Sequence, residues 1–472
     1  MSKTAKGATL ALGFMLAATS SASAQMAQAS SPPSTGASSK VTTRQLAAPM
    51  AKSTETLGSL AAVRQLPNGN VLVNDQARHR VVLMDKDLKV VGVVADSTPL
   101  TNSAYGPRPG GLIPYKGDST LFVDPASLSM MMIDPSGKLG RVMAAPRPND
   151  VQFLTGGVQG NPGFDAKGRL IYRTREPVRF GGPAGASPAA AAPVMADSSA
   201  LVRFDLMARK LDTVGFFKIA KQNLNITRDD AGNITGMSIQ NNPLPVLDEW
   251  AVMSDGTIAF VRGRDYHVDF VGPTGDVTKA EKIPYDWQRM TDDDKQAFLD
   301  SSKVALEKAR AANAPATTVT SDKPMTKADS AAARARAATA GGDGGGGGMM
   351  VMSMTRSVGG GPATTTTTFG APGAAGMPGI TMVPISELPD YKPVFGAGAV
   401  RADMDGRLWV RTIPTKVTTG GASYDVIDRN GKLVDRVQVP VGTTIAGFGE
   451  GGVVYLGFKD DAGIHLQKSV VK

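Results

Sequence analysis

Five arginines and one glutamate stand where a repeated pattern would let them act together. Arg173 and Arg411 each follow a turn glycine, Gly168 or Gly406, by five residues, and Arg262 is one residue out of register after Gly256. Arg64 and Arg401 each precede a turn glycine, Gly69 or Gly406, by five residues. A guanidinium is a planar fork of donors that matches carboxylate, phosphate or sulfate, so arginines recurring in one layer point to an acidic ligand. In the layer of Arg64 and Arg401 the other copies carry Gly163, Ala251 and Gly447, small enough to leave room beside the guanidiniums. Glu249, two residues before Ala251, would line the same opening. The competing structural role is that the arginine stems pack between elements and their heads pair with turn carboxylates.

Other chemistry is sparse. The chain has no cysteine and three histidines, which removes disulfides, thiolate metal sites and cysteine nucleophiles. His79, His267 and His465 each fall near the start of the third strand of their copy, in copies one, four and six, which argues against a shared metal. Asp403-x-Asp405-Gly406 opens like a calcium loop but lacks the distal carboxylates and coincides with a hairpin turn. Asp124, Asp134, Asp205 and Asp428 recur at strand ends, where carboxylates bond turn amides. No G-x-S-x-G, H-E-x-x-H or phosphate-cradling glycine loop occurs.

The elements that position these residues come from a repeat. Leu66-Pro67-Asn68-Gly69-Asn70-Val71-Leu72-Val73 reads as a strand end, a tight turn and a second, β-branched strand. Similar runs surround Gly168, Gly256 and Gly406, with weaker ones near Gly117 and Gly452, giving six copies. A third and a fourth apolar stretch follow most copies, and the uninterrupted spacing of about 45 to 50 residues is that of a four-stranded propeller blade. Such a sheet has two apolar faces, so radial stacking is the solution that buries both. The expected fold is all-β, a six-bladed β-propeller with four-stranded blades, one inserted helix and a long disordered insertion.

The D/N-G turn before a short apolar strand, with the later D-x-x-G-K turns at Asp134 to Lys138 and Asp428 to Lys432, resembles the six-bladed propellers of the NHL and TolB-like kind. The resemblance covers roughly residues 54 to 290 and 390 to 472. It implies a fold rather than an activity, because this architecture hosts binding modules, lactonases, lyases and scaffolds alike.

Lys3 and Lys6 precede an apolar run from Ala8 to Ala18, and Ala22-Ser23-Ala24 offers small residues to a signal peptidase. Residues 1–24 are therefore expected to be a signal peptide, placing the protein outside the cell or in the periplasm, with no transmembrane segment after cleavage. Losing Lys3 and Lys6 takes the formal charge from +9 to +7, a mild basic bias that suits acidic polymers, anionic lipid or cell wall and equally serves solubility. There is no dense basic block interleaved with aromatics, so no nucleic acid is expected. The remaining organisation reads as a flexible segment at 25–53, blades one to four at 54–290, a helix at 291–312 opened by Thr291, a disordered Gly/Ala/Thr/Pro/Met-rich insertion at 313–383, and blades five and six at 384–472. Thr54 to Leu57 is expected to complete the last blade. Gly181 to Ala196 reads as a flexible excursion, and 221–247 as a link with a small hairpin.

Three functional classes follow, without a clear catalytic constellation to decide between them, and the third is an accessory subunit whose ring docks onto an envelope assembly. One is a binding or scaffold module for a partner protein, an anionic polymer or a small acidic ligand, without a cofactor. The alternative is a lactonase- or lyase-type propeller enzyme, with a divalent metal on carboxylates of the central opening, of which only Glu249 is identifiable.

Overall fold

In the computed structural model of the chain, the described residues are 41–174, 179–181, 192–229, 234–312, 379–415 and 419–471. The signal peptide and most of the long insertion expected from the sequence lie outside them. Six antiparallel sheets follow one another along the chain. Their inner strands are Ala62–Gln65, Gly111–Pro114, Gly163–Phe164, Glu249–Val252, Val400–Ala402 and Thr443–Phe448. In sheets one to five the chain then passes outward through three further strands, so each sheet is one blade.

The second strand of each sheet is buried on both faces, and strand alternation shows how. In sheet one, Val71 and Val73 pack with Tyr455 and Leu466 of sheet six, whereas Leu72 packs with Phe122 and Met131 of sheet two. Successive side chains point to opposite faces, so one short apolar strand supplies two inter-blade cores. Sheets two and three, three and four, four and five, and five and six share equivalent clusters. Leu72 and its flanking valines are fully buried, each worth roughly 1.5–3 kcal/mol of apolar transfer. The architecture is an all-β propeller.

The turns that join first to second and third to fourth strands gather at one end of the sheets, and their chemistry repeats. One Oδ of Asp85, Asp134, Asp165, Asp403 and Asp428 accepts the amides two and four residues on. The glycine three residues after Asp165, Asp403 and Asp428 takes a positive φ of 73° to 80°, the conformation this tight turn demands. Asp403-x-Asp405-Gly406 is thus a turn. Neighbouring turns also join: Asp405 accepts the amides of Gly451 and Gly452, and Arg429 pairs with Asp255. The connections from blade to blade run at the opposite end.

The N-terminal segment departs from the flexible reading. Thr43–Gln45 adds a fifth, parallel strand to Leu433–Gln438, and Ala51–Lys52 pairs with Gly463–Val470 as the outer strand of sheet six. This closing strand is separated by Ser53 alone from the Thr54 to Leu57 segment, of which Leu57 alone bridges, to Ile464. Pairing occurs because the outer strands of sheets five and six offer unpaired backbone groups to the returning chain.

The insertions also carry structure. Arg179–Gly181 pairs with Ala192–Val194, so the ends of the Gly181 to Ala196 excursion form a two-stranded ladder. Asn223–Arg228 and Ile234–Asn241 form a hairpin, to which Gly379–Met382 adds in parallel. The last residues of the expected 313–383 insertion are therefore strand, fixed by that backbone pairing. The helix spans Asp292–Ala312. Thr291 caps it: its Oγ1 accepts the Asp294 amide, and Asp294 accepts the Thr291 amide in return. Leu299 anchors the helix in a small cluster with Leu244, Met290, Val383 and Leu388.

Candidate functional site

The sequence-predicted residues fall into three groups. Arg262 is committed to structure: its Nη1 donates to Asp248 at 2.9 Å and to the Phe216 carbonyl at 3.1 Å, and its Nε donates to Asp269 at 2.8 Å. Arg262 stands one position further along its strand than Arg173 and Arg411, which turns it to the other face of its sheet and into reach of these carboxylates. Arg64 is a strut between blades, donating from Nε to Thr120 Oγ1 at 2.8 Å and from Nη2 to the Ser119 carbonyl at 3.0 Å. Burial draws its guanidinium down to about 10, with distant Asp118 opposing. Its fork is turned to sheet two rather than toward Arg401, so the two equivalent arginines are not brought together.

Glu249 and Arg173 form the second group, at the connection end. Glu249 opens the inner strand of sheet four and is 6% exposed. Its Oε1 accepts the Gly398 amide at 2.8 Å, a bond that comes from the residue pair just before the inner strand of sheet five. Burial pushes its carboxyl up to about 8; the Gly398 amide and the Arg173 charge pull the other way, and Asp248 adds to the rise. A carboxyl in this state holds its proton at neutral pH and gives it up just above. Arg173, at the end of the second strand of sheet three, donates from Nη1 to Gln159 Oε1 at 2.7 Å and lies over the rings of Phe153 and Phe217 at 5.4 and 5.9 Å. Gly398 has φ +69°, and a Cβ there would meet Val158 Cα at 3.0 Å.

Arg401 and Arg411 form the third group, on sheet five. Arg401 donates from Nη1 to the Ala446 carbonyl of sheet six at 3.3 Å, and Arg411 is exposed.

Gly398 and Gln159 were not found from the sequence. Both sit in blade-to-blade connections outside the repeat register, so the repeat spacing gave no signal for them.

The residues present do not fit the divalent metal of the enzyme reading. Among the described residues no three His, Cys, Asp or Glu side chains are arranged so that they could hold a metal ion. Glu249 has an amide donor and a guanidinium's field as its surroundings, both suited to negative charge. The histidines lie in three different sheets: the His79 ring lies tilted against Tyr105, His267 contacts Asp265 and Asp269, and His465 contacts the Ser53 carbonyl and Asp460.

No protein-family model matches the chain, and no curated protein matches it. Several solved structures are similar in outline. A gluconolactonase from Xanthomonas campestris is 9% identical, with 92% of this chain and 97% of that one covered and a TM-score of 0.35. A calcium-binding regucalcin from Agrobacterium tumefaciens is 11% identical, with 91% and 96% covered and a TM-score of 0.34. A virginiamycin B lyase from Staphylococcus aureus is 13% identical, with 49% and 73% covered and a TM-score of 0.25. At these scores nothing about a site follows, and the propeller architecture rests on the strand order described above. Among the described residues no helix is long and apolar enough to cross a membrane.

Proposed function

We propose that this chain is an exported, six-bladed propeller of the NHL or TolB-like kind that acts as a hydrolase or lyase, with Glu249 as its proton donor. The observation that carries this reading is a buried carboxyl held by a single amide at the start of an inner strand, with an arginine's field close by. Strongly perturbed carboxyls of this sort are what acid–base catalysis near neutral pH requires. In ester or lactone hydrolysis, water adds to the acyl carbon and the C–O bond breaks. The leaving oxygen takes the proton of Glu249, and the carboxylate recovers one from the attacking water. Arg173 stabilises the negative charge that grows meanwhile.

The alternative, a module that binds a partner protein or an anionic envelope polymer without turnover, gives no reason for a desolvated carboxyl at this place. It is also weakened by the engagement of Arg64 and Arg262 with neighbouring strands and turns. The test is a panel of lactones and aryl esters with the purified chain between pH 5 and 9. Turnover is expected to fall by roughly a hundredfold or more in Glu249→Gln, within the range for losing a general acid, and to decline in the wild type above about pH 8 as the carboxyl ionises. Turnover undiminished in Glu249→Gln, or saturable binding of a panel compound with no product, returns the protein to the binding reading.

A further inference from the structure

Arg401 pairs across strands with Trp409, and Arg411 pairs with Tyr424. Directly opposed residues, and residues two apart on one strand, share a face of the sheet. The two guanidiniums therefore stand on one face with Trp409 and Tyr424, the face that packs against Ile445 and Phe448 of sheet six.

Charge on that face is not balanced. Among the described residues Arg401 has one side-chain hydrogen bond, the 3.3 Å contact to a carbonyl, and Arg411 has neither a side-chain hydrogen bond nor an ion pair. Burial lowers the affinity of Arg401 for its proton; the nearby Tyr424 phenol opposes this, and the charge of Arg411 adds to it. Other part-buried arginines are matched by carboxylates: Arg80 by Asp75 and Glu55, Arg169 by Asp165, Arg407 by Asp403, Arg436 by Asp425. Arg64, which has no carboxylate in contact, fills its fork with Thr120 and Ser119 instead. A desolvated guanidinium beside a second one, with no counter-charge, costs free energy that an anion in the gap recovers. The Tyr424 phenol, which burial keeps protonated, offers an O–H alongside.

We propose that Arg401 and Arg411 form an oxyanion-binding subsite on the face that sheet five turns to sheet six, filled by a carboxylate, phosphate or sulfate group of a free small molecule. Arg401 lies on an inner strand, beyond the reach of a bilayer or a bulky polymer, which is why the ligand is a small one. The subsite does not rest on the role of Glu249. That residue clusters with the opposite face of sheet five, through Gly398, in the gap between sheets four and five.

The test is calorimetric titration of the full chain at low ionic strength with sodium phosphate, sodium sulfate and sodium acetate, for the wild type, Arg411→Gln, Arg401→Lys and Glu249→Gln. Arg411 is exposed, so its replacement leaves the fold intact, and near-ultraviolet circular dichroism of Trp409 checks this. Saturable binding that weakens about tenfold in Arg411→Gln, the effect of losing one charge-assisted hydrogen bond, and also weakens in Arg401→Lys, while persisting in Glu249→Gln, is the expected result. The anion bound most tightly then names the ligand class. No saturable binding in the wild type, or equal affinity in Arg411→Gln, overturns the subsite. So does an equal loss in Arg411→Gln and Glu249→Gln, because the anion would then sit at Glu249.

Discussion

At the hairpin-turn end of the ring, the carboxylate of Asp403 accepts four hydrogen bonds, from the amides of Asp405 and Arg407, from Arg407 Nε and from the Trp409 indole. Asp165 accepts the three equivalent bonds, from the amides of Lys167 and Arg169 and from Arg169 Nε. At the connection end, Glu249 is as deeply buried but accepts one amide, and Arg401 and Arg411 have no carboxylate in contact among the described residues. Equal burial thus accompanies opposite treatment of charge. A saturated carboxylate is a fixed part of the turn and has nothing left to offer a ligand. An under-partnered ionisable group is a standing cost to the fold, and Glu249 and Arg401 carry that cost.

Three experiments sharpen or break this contrast. The largest effect is expected from Glu249→Gln, which keeps an acceptor for the Gly398 amide and removes the titrating proton. A carboxyl whose folded pKa is raised contributes stability that is complete below its unfolded pKa and lost as pH rises through the folded value. The wild type should therefore lose about 4 kcal/mol relative to the variant between pH 5 and pH 9, following the rise to about 8. Urea denaturation of both proteins across that range measures the difference, and parallel curves would place Glu249 among the saturated groups.

Asp403→Ala should cost about 3 kcal/mol, because it strands the buried Trp409 indole N–H and the Arg407 guanidinium together. Denaturation at neutral pH reads this directly. A loss under about 1 kcal/mol, typical of an exposed ion pair, would show that the turn end is not held by its carboxylates.

Much of this contrast was legible in the sequence on one side and not on the other. The turn end obeys local rules: Asp165 and Asp403 sit three residues before a glycine, and the aspartate accepts the amides two and four residues on wherever this turn recurs. Alternation in Val71-Leu72-Val73 likewise announces a strand buried on both faces. The arginine register found Arg401 and Arg411, and composition with position found Glu249. What it could not supply was partners. Gly398 and Gln159 come from connections with no repeat, and the diversion of Arg64 toward Ser119 depends on the turn of the next blade. The added strand Thr43–Gln45 was missed for a related reason, since its ladder partner lies some 390 residues away along the chain, and nothing local in three polar residues marks them as strand.

The smallest effect, and the most specific one, is expected from Gly398→Ala. Its φ of +69° disfavours any side chain, and the new methyl would press on the Val158 backbone, so a loss of about 1–2 kcal/mol is expected. The informative quantity is the pH dependence. The Gly398 amide donates to the ionised carboxyl more favourably than to the neutral one, so pushing that amide away removes support from the charged form. The titration of Glu249 should then move further above about 8. Comparing Gly398→Ala with Gly398→Ala/Glu249→Gln by denaturation from pH 6 to pH 10 isolates this shift, since every other titrating group cancels between the two. An unmoved midpoint would mean that solvent, not this amide, stabilises the charged form, and Glu249 would then be less enclosed than its single hydrogen bond and low exposure imply.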